Sequence, residues 1–350
     1  MQTWLEIDDD ALRHNISEIK ESLNPQTKFA AVVKANAYGH GLLEVVDAIQ
    51  DHVDYLAVFA FADALLLREK GVTKPLLVLS RVFADEVDLA IKHSIEVTIS
   101  CFESLALIKK DLRFHLAVDT GMGRDGFVFA DLGKIKEYAI KPLGIYAHFA
   151  SADDAKFDDY TQKQITELLR WKEEFQPELT HHAASAGTLY GKNHPEFNLV
   201  RIGLAIYGLW PSGQRNKSIN LKPVLSWRTR ITEVRSLPKG GAISYGCTHI
   251  LERDSKLAVL PVGYFDGISR VSSGKSYVLV RGKKVPQLGR VTMNMIVLDV
   301  TDVDGVASGD VVTLIGRDGK QEITADDWAI WSQSSNYEVV TRINTALAHY

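Results

Sequence analysis

Short apolar runs alternate with longer amphipathic segments through residues 28–208. In the segment 161–175, for example, Ile165, Leu168 and Trp171 recur at near-helical intervals between charged residues. The apolar runs predict strands and the segments between them predict helices, a repeat typical of strand–helix units. Eight strands are predicted, at 29–33, 55–59, 75–79, 96–99, 114–118, 143–148, 179–183 and 199–201. Eight such units predict an α/β fold with a closed (β/α)8 TIM barrel.

The pattern changes after a polar stretch at residues 211–220. Beyond it, short alternating runs are separated by Gly, Asp and Pro turns, which predicts β structure. We therefore expect two domains, with residues 1–218 as the barrel and residues 219–350 as a mostly β C-terminal domain. Pairing of the second domain with residues 1–10, through the strand-like stretch 3–7, is a further expectation. In the second domain, strands are predicted at 228–234, 256–262, 276–280, 295–300 and 311–315, with one helix at 325–331.

The composition agrees with two domains and excludes several classes of protein. A chain of 350 residues is longer than one ordinary core spans. Its charged fraction of 24% and formal net charge of −4 leave no basic field for a nucleic-acid backbone and no amphipathic excess for a membrane surface. Neither a nucleic acid nor a membrane is therefore expected as a partner.

The sequence also bears on location and on metals. The first residues hold no basic segment followed by an apolar one, and no run of about 18 apolar residues occurs. Cys101 and Cys247 are far apart, which fits a reducing compartment rather than a disulfide framework. We expect a soluble, cytoplasmic protein. No Cys or His spacing typical of a zinc site occurs, so no catalytic metal is expected.

Lys34 is the strongest candidate for chemistry, because it directly follows the apolar run 29–33. A lysine that leaves a buried strand is desolvated, which lowers its pKa and makes the neutral amine available for Schiff-base chemistry. A lysine side chain that merely reaches water from a strand end is the structural alternative. Taken alone, the position favours neither interpretation.

The residues around Lys34 carry a resemblance to a known family. The segment 32–41, Val-Val-Lys-Ala-Asn-Ala-Tyr-Gly-His-Gly, resembles the cofactor-lysine segment of bacterial alanine racemases. Those enzymes are barrel-type isomerases that depend on pyridoxal 5'-phosphate. The resemblance implies that Lys34 binds this cofactor covalently and acts as one catalytic base.

Racemisation needs an electron sink and two bases on opposite faces of the α-carbon. Ser244-Tyr245-Gly246, followed by Thr248, resembles the catalytic tyrosine segment of the family. An isolated tyrosine in a turn is more often a packing residue. The agreement with the Lys34 segment favours Tyr245 as the second catalytic base.

Further motifs imply how the cofactor is held. The segment 200–209 resembles the one whose arginine, here Arg201, meets the pyridine nitrogen, although a structural salt bridge is the alternative. His148 resembles the histidine that hydrogen-bonds this arginine, and a core histidine is the alternative. The resemblance implies that the phosphate is bound by Tyr38, Ser185, Gly203, Leu204 and Tyr337.

The segment 118–124 resembles the family motif whose arginine, here Arg124, lies near the substrate carboxylate. Many members have a carbamylated lysine at the position of Ala117, and alanine cannot be carbamylated. Arg124 is therefore expected to be held by an anion such as chloride, by another acid such as Asp119, or less rigidly. The backbone of Met293 is expected to meet the substrate carboxylate as well, and the channel through which substrate enters is expected to include Tyr264, Arg270 and Arg290.

The resemblance covers nearly the whole chain and implies a function and a partner. A head-to-tail homodimer would form shared active sites, each taking its tyrosine from the neighbouring subunit. The expected reaction is the interconversion of L-alanine and D-alanine for peptidoglycan of the cell wall. There are three alternatives: a racemase for serine or lysine, a barrel-type decarboxylase and a single-barrel cofactor carrier. The decarboxylase should have a cysteine base together with acidic groups for a basic substrate, and this set is not found. The Tyr245 motif argues against a carrier, which needs no second base.

Overall fold

The computed structural model describes residues 2–212, 215–216 and 218–349, so the polar stretch predicted at 211–220 lies partly outside the described residues. The strands are β1 (Thr3–Ile7), β2 (Lys28–Val32), β3 (Tyr55–Val58), β4 (Leu76–Arg81), β5 (Glu96–Ile99), β6 (Phe114–Ala117), β7 (Gly144–Tyr146), β8 (Leu179–His181), β9 (Leu199–Ile202), β10 (Leu225–Arg230), β11 (Glu233–Leu237), β12 (Ala242–Ile243), β13 (His249–Ile250), β14 (Ser255–Leu260), β15 (Tyr277–Val280), β16 (Lys283–Leu288), β17 (Ile296–Asp299), β18 (Val311–Asp318), β19 (Gln321–Ile323) and β20 (Ala348–His349).

The helical segments follow the strands of the first half and are sparse in the second. They are α1 (Asp9–Glu21), α2 (Lys34–Tyr38), α3 (Leu42–Ile49), α4 (Phe61–Glu69), α5 (Val87–Lys92), α6 (Phe102–Leu105), α7 (Leu132–Lys136), α8 (Asp158–Phe175), α9 (Ser185–Leu189), α10 (Ala325–Ser332) and α11 (Asn336–Thr341). Short 3₁₀ helices lie at Gln50–His52, Phe129–Asp131, Ala155–Phe157, Leu204–Tyr207, Tyr245–Cys247 and Arg270–Ser272. Within the described residues, no helix is long and apolar enough to cross a membrane.

The chain forms two compact units. The barrel unit consists of Asp9–Ala37 and Val45–Lys222. The β unit consists of Met1–Asp8, Tyr38–Glu44 and Pro223–Tyr350.

The barrel unit is built on an eight-stranded parallel sheet with the order β8-β7-β6-β5-β4-β3-β2-β9. Arg201 N donates to Ala183 O at 3.0 Å, which places the last strand beside the segment after β8 and nearly closes the sheet. Most of its strands are buried along their whole length, as expected for parallel strands covered on both faces. The predicted (β/α)8 barrel and its eight strands are confirmed.

Helix α8 shows why the segments between strands become helices. Its first turn is acidic, at Asp158 and Asp159, which complements the helix dipole. Ile165, Leu168 and Trp171 form its buried face. The helix ends at Phe175, and the next residue, Gln176, adopts a left-handed conformation.

The β unit contains a largely antiparallel sheet with the order β11-β14-β17-β16-β15-β18-β10-β1-β20, and β19 pairs with β18. Strand β1 pairs antiparallel with β10, with Thr3 opposite Thr229. The hydrophobic core of the β unit includes Trp227, Leu298 and Trp328.

Two predictions in the β unit were wrong in detail. The strand predicted at 228–234 is broken into β10 and β11, because Ile231 N bonds to Asp310 O whereas Thr232 N bonds to Val259 O. The chain thus changes its pairing partner between these two residues, which an apolar pattern does not reveal. The single helix predicted there is α10, and α11 was missed because six residues are too few for helical periodicity to show.

Candidate functional site

Lys34 follows β2 and begins a turn of left-handed backbone. Ala35, Asn36, Ala37 and Tyr38 have φ of 54°, 52°, 51° and 54°. Residues other than glycine rarely adopt this conformation, and it costs about 1–2 kcal/mol per residue. Strain of this kind is typical of functional sites and persists only where the surrounding structure enforces it.

The environment of Lys34 favours the neutral amine. Burial lowers the pKa of Lys34, and the nearby cations Arg124 and Arg201 lower it further. Strand β2 is fixed just before this lysine, because the buried Tyr207 hydroxyl donates to Val32 O at 3.2 Å. The geometry therefore agrees with the sequence argument for a reactive amine at this position.

Arg201, in β9, is buried with 5% of its surface exposed. Nη1 lies 2.6 Å from His181 Nδ1, and Nη2 donates to Ala147 O at 2.7 Å. Burial lowers the pKa of Arg201 to about 10, so the guanidinium remains charged at neutral pH. Within the described part of the chain, each side-chain hydrogen bond of Arg201 leaves from Nη1 or Nη2, so Nε–H is left as a donor for a ligand.

Two histidines flank the Arg201 guanidinium. The predicted one, His148, has its Nδ1 3.5 Å from Arg201 Nη2. Burial and the cations Arg201, Arg124 and Lys34 lower the pKa of His148 to about 3, so it is neutral. The closer contact comes from His181, which the sequence reasoning missed; the signal was a pair of histidines, His181 and His182, in an otherwise apolar strand end.

Ser185 lies at the start of α9, close to the turn after β9. Its buried Oγ accepts from Gly203 N and from Ala205 N, both at 3.2 Å. The residue between them, Leu204, begins a 3₁₀ helix. The predicted hydroxyl and the predicted backbone segment are therefore adjacent, and Ala205 joins them.

The loop that carries Arg124 is held by Asp119. One oxygen of this carboxylate accepts from the backbone of Gly121, Met122 and Gly123 at 2.8, 2.8 and 3.1 Å. Arg124 instead donates from Nε to Asp125 Oδ1 at 3.1 Å. Of the three alternatives for Arg124, an acid is the one the structure shows, but the acid is Asp125. Asp119, the example named from the sequence, instead organises the loop through its carboxylate.

Tyr38 and Tyr337 lie together in the β unit, with ring centroids 6.5 Å apart. Burial raises the pKa of Tyr38, so its hydroxyl remains protonated. The residue after Tyr38, Gly39, packs tightly on α11. Its φ is +82°, and a Cβ at this position would lie 2.1 Å from Val340 O. Glycine is therefore required where the segment after Lys34 meets α11.

Tyr245 begins a strained turn on the β unit and is 70% exposed. Ser244 has a φ of 63°, and its Oγ donates to Arg290 O at 2.7 Å. A Cβ on Gly246 would lie 3.1 Å from Arg290 Nη1. These contacts bring the predicted residues Tyr245 and Arg290 together.

The loop after Arg290 is hydrogen-bonded to the segment that carries Tyr264, another predicted site residue. Tyr264 N donates to Thr292 O, and Phe265 N donates to Met293 O, both at 3.0 Å. We call the surface formed by these loops the exposed patch; it includes Tyr245, Tyr264, Phe265, Met293 and Met295, which are exposed by 70%, 45%, 63%, 55% and 54%. Arg270, also exposed, begins a nearby stretch of 3₁₀ helix in the same unit. Apolar side chains exposed together in this way mark an interaction surface.

The predicted site residues therefore fall into two groups. Those of the barrel unit lie at the carboxyl ends of the strands, where barrel active sites form; they are Lys34, Arg124, His148, Ser185, Arg201, Gly203 and Leu204. Those of the β unit are Tyr38, Tyr245, Tyr264, Arg270, Arg290, Met293 and Tyr337. Among the described residues, no group of three or more His, Cys, Asp or Glu side chains is placed to hold a metal ion.

Comparisons with known proteins cover nearly the whole chain. The family described as "Alanine racemase, N-terminal domain" matches residues 7–211, and "Alanine racemase, C-terminal domain" matches residues 224–350. An alanine racemase of Methylacidiphilum infernorum is 36% identical over 98% of this chain and 91% of its own length. Alanine racemase 2 of Caldanaerobacter subterraneus is 38% identical over 98% of this chain and 92% of its own length.

Solved structures agree. An alanine racemase from Bacillus anthracis with bound L-Ala-P has a TM-score of 0.89 at 34% identity, and the match covers 100% of this chain and 95% of that one. An alanine racemase from E. faecalis has a TM-score of 0.91 at 34% identity, covering 99% and 97%. These matches confirm the resemblance carried by the motifs.

Proposed function

Because the chain belongs to the alanine racemase family, whose members are amino-acid racemases and hence isomerases, we propose that it interconverts L-alanine and D-alanine. One observation carries the proposal within the structure. Lys34, Arg124 and Arg201 lie within electrostatic range of one another, and burial lowers the pKa of both Lys34 and Arg201. A cluster of partly desolvated cations favours an anionic ligand, and both an amino-acid carboxylate and a phosphate ester are anions.

We propose pyridoxal 5'-phosphate as the cofactor, and the donor set of the barrel unit fits it. Lys34 offers a primary amine with a lowered pKa, and Arg201 offers Nε–H. At the turn after β9, Ser185 offers a hydroxyl and Leu204 an amide, and Gly203 N, which donates to Ser185 Oγ in this structure, would exchange that bond for one to the phosphate. When bound, this cofactor supplies the electron sink that makes the substrate α-proton acidic.

Tyr38 and Tyr337 belong to the same proposal as phosphate-binding hydroxyls. Their rings lie 6.5 Å apart, and burial keeps the Tyr38 hydroxyl protonated and able to donate. His148 is proposed to contact Arg201 as a neutral imidazole, since its pKa of about 3 prevents it from adding another positive charge.

The proton transfers are assigned to one group on each face of the α-carbon. Lys34 takes or returns the proton on one face as a neutral amine. Tyr245 of the partner subunit does so on the other face. Arg201 would donate a hydrogen bond to the ring nitrogen of the cofactor and keep its own proton, because a guanidinium is a weak acid. This would limit the electron withdrawal that the cofactor supplies.

A homodimer with shared active sites is proposed as the working state. It is supported by the exposed patch, because a single chain leaves Tyr245 and Met293 in water, and large apolar side chains exposed together favour a partner surface. Arg124 and the backbone of Met293 are proposed to bind the substrate carboxylate. Tyr264, Arg270 and Arg290 are proposed to line the channel through which substrate enters.

Further proposals are the domain boundaries of the chain, its location and its biological role. We propose the domain division at residues 1–218 and 219–350, supported by the family matches that end at 211 and begin at 224. A cytoplasmic location and a role in supplying D-alanine for peptidoglycan accompany the activity; the two free cysteines support a reducing compartment. Racemisation of serine or lysine is the alternative substrate assignment.

The test combines activity with subunit mixing. Purified protein with added pyridoxal 5'-phosphate should convert L-alanine to the racemate, which polarimetry measures. L-Serine and L-lysine should react more slowly. Lys34→Ala and Tyr245→Phe should each be inactive alone. When the two variants are mixed and allowed to exchange subunits, hybrid dimers contain one intact site, and activity should return.

The controls separate the parts of the proposal. Mixing either variant with itself under the same conditions should restore nothing. If the wild type is active but the mixture of the two variants is not, the racemase assignment stands and the shared active site is refuted. A wild type that racemises serine or lysine faster than alanine would replace the substrate, and one that racemises none of the three would remove the proposed function.

A further inference from the structure

A row of buried polar side chains crosses the interior of the barrel, from Arg201 in β9 to Glu96 in β5. Arg201 Nη1 lies 2.6 Å from His181 Nδ1, and His181 Nε2 lies 2.8 Å from His115 Nδ1. His115 Nε2 lies 2.9 Å from Glu96 Oε2. The exposed fractions of Arg201, His181, His115 and Glu96 are 5%, 0%, 0% and 2%. Polar groups buried this deeply need every partner in the row.

The two ends of the row fix the direction of its hydrogen bonds. A guanidinium can only donate, so His181 Nδ1 must accept and its proton must be on Nε2. His181 therefore donates to His115 Nδ1, which places the proton of His115 on Nε2, facing the Glu96 carboxylate. Burial lowers the pKa of His181 well below its usual value, so this imidazole is neutral. The row is thus a one-way relay from Arg201 to Glu96.

The far end keeps Glu96 in the accepting form. Arg113 donates to Glu96 Oε1 from Nε at 3.2 Å and from Nη2 at 2.7 Å. Burial opposes ionisation of Glu96, but the hydrogen bonds from His115 and Arg113 outweigh it and hold its pKa below the usual value. Arg113 is largely exposed, so this end of the row reaches solvent.

The neighbouring residues lock the two imidazole rings. The Tyr146 ring stacks on His181 at a centroid distance of 5.0 Å and an angle of 22°, and Arg201 Cζ lies 4.8 Å from the same ring. A Cβ on Gly144 would lie 2.3 Å from His115 Nδ1, so glycine makes the space that this imidazole occupies. Tyr146 and Gly144, both in β7, therefore pack closely on the two imidazole rings and restrict their rotation.

We propose that the relay through His181 and His115 to Glu96 positions Arg201, so that Nη1 and Nη2 are held by the barrel and Nε–H is turned toward a ligand. Glu96 and both histidines are positioning residues in this proposal. It rests on the proposed function in one respect, since the ligand at Nε is the ring nitrogen of the proposed cofactor. The hydrogen-bond directions within the row do not depend on that function.

The first test measures the tautomers in the full-length wild-type protein. Long-range ¹H–¹⁵N NMR of the imidazole nitrogens distinguishes the Nε2–H, Nδ1–H and charged forms, and His115→Gln and His181→Gln assign the signals. Both histidines should be neutral and protonated at Nε2. A proton on Nδ1 of either residue, or a charged ring, would overturn the relay.

The second test removes the acceptor at the end of the row. Glu96→Leu leaves His115 Nε2–H without a partner and should weaken pyridoxal 5'-phosphate binding about tenfold, measured as the dissociation constant by absorbance titration. Glu96→Gln retains one carbonyl oxygen for His115, while the exposed Arg113 can turn to water, so it should restore most of the binding. Ser104→Ala is the matched control, because Ser104 is a buried residue of the barrel unit whose Oγ donates to Cys101 O and accepts from Cys101 N, away from the row. Its effect should stay within about twofold.

The outcomes separate the relay from the function. A Glu96→Leu protein that binds the cofactor as tightly as Ser104→Ala would refute the positioning role, whatever the wild type catalyses. A Glu96→Gln protein as impaired as Glu96→Leu would also refute it, because an accepting oxygen would then not be what matters. A wild type that binds no cofactor would remove the proposed function, and the tautomer measurement would still decide the relay.

Discussion

The left-handed turn after Lys34 makes an unusual prediction, that replacing alanine by glycine stabilises the protein. Ala35 is exposed and has φ 54° and ψ 53°. Glycine at this position would remove about 1–2 kcal/mol of backbone strain. It would add about 0.5–1 kcal/mol of conformational entropy to the unfolded chain. The Ala35→Gly protein should therefore be more stable than the wild type by about 0.5–1 kcal/mol.

Ala62 provides the matched control, since it is an exposed alanine in the right-handed helix α4. Ala62→Gly has the same effect on the unfolded chain and relieves no strain, so it should destabilise the protein by about 0.5–1 kcal/mol. The entropy contribution cancels between the two variants. Their difference, about 1–2 kcal/mol, is then the strain at one residue of the turn.

The assay is urea denaturation monitored by circular dichroism. The midpoints report stability provided that the variants have the same m-value as the wild type. Midpoints should rank Ala35→Gly above the wild type and Ala62→Gly below it. Racemisation by Ala35→Gly should be slower despite the added stability, because a looser turn holds Lys34 less firmly. Equal destabilisation by both glycines would refute the left-handed turn as the source of strain.

Three further predictions follow from particular contacts. Gly39→Ala should lower the free energy of unfolding by about 3 kcal/mol or more, because the new Cβ would lie 2.1 Å from a backbone oxygen of α11. Gly71→Ala is the control: its φ is similar and nothing lies within 4 Å, so it should lower the free energy of unfolding by only about 1 kcal/mol. Thermal denaturation compares the two variants. His148→Gln should unfold at lower pH than the wild type. In the wild type the pKa of His148 is about 3 in the folded protein and about 6.5 in the unfolded chain, so its stability falls as pH falls below 6.5, and glutamine removes this loss. An unchanged midpoint of acid unfolding would contradict this. Asp125→Asn should make the rate of racemisation depend on chloride, because the substitution removes the carboxylate that contacts Arg124. The rate of the wild type should be the same in chloride as in glutamate at equal ionic strength. A chloride-dependent rate in the wild type would contradict this.

Much of the barrel could be predicted because parallel strands are buried on both faces. Such strands leave continuous apolar runs in the sequence, and Tyr55–Val58 and Phe114–Ala117 are examples. The exit of Lys34 from such a run was visible for the same reason. The β unit was harder: its strand at 228–234 changes partner in the middle, and a pattern of side chains holds no information about the partner.

The candidate site was predicted where a motif is contiguous and missed where the chemistry depends on distant contacts. Ala35 and Ala37 give no signal for a left-handed turn, since alanine favours the right-handed helix. His115 and Glu96 belong to different strands, and the pairing of β6 with β5 in the folded sheet brings them to 2.9 Å. Asp125 was overlooked because the motif drew attention to Asp119, whose carboxylate is occupied by its own loop.

The most direct test of the account is to identify the lysine that binds the cofactor. The wild-type protein would be incubated with pyridoxal 5'-phosphate, reduced with borohydride, digested and mapped by mass spectrometry. The amine environment predicts a single modified peptide, labelled on Lys34, and no labelled peptide at that site in Lys34→Ala. Labelling of a different lysine, or none in the wild type, would contradict the assignment of the barrel's cationic cluster as the active site.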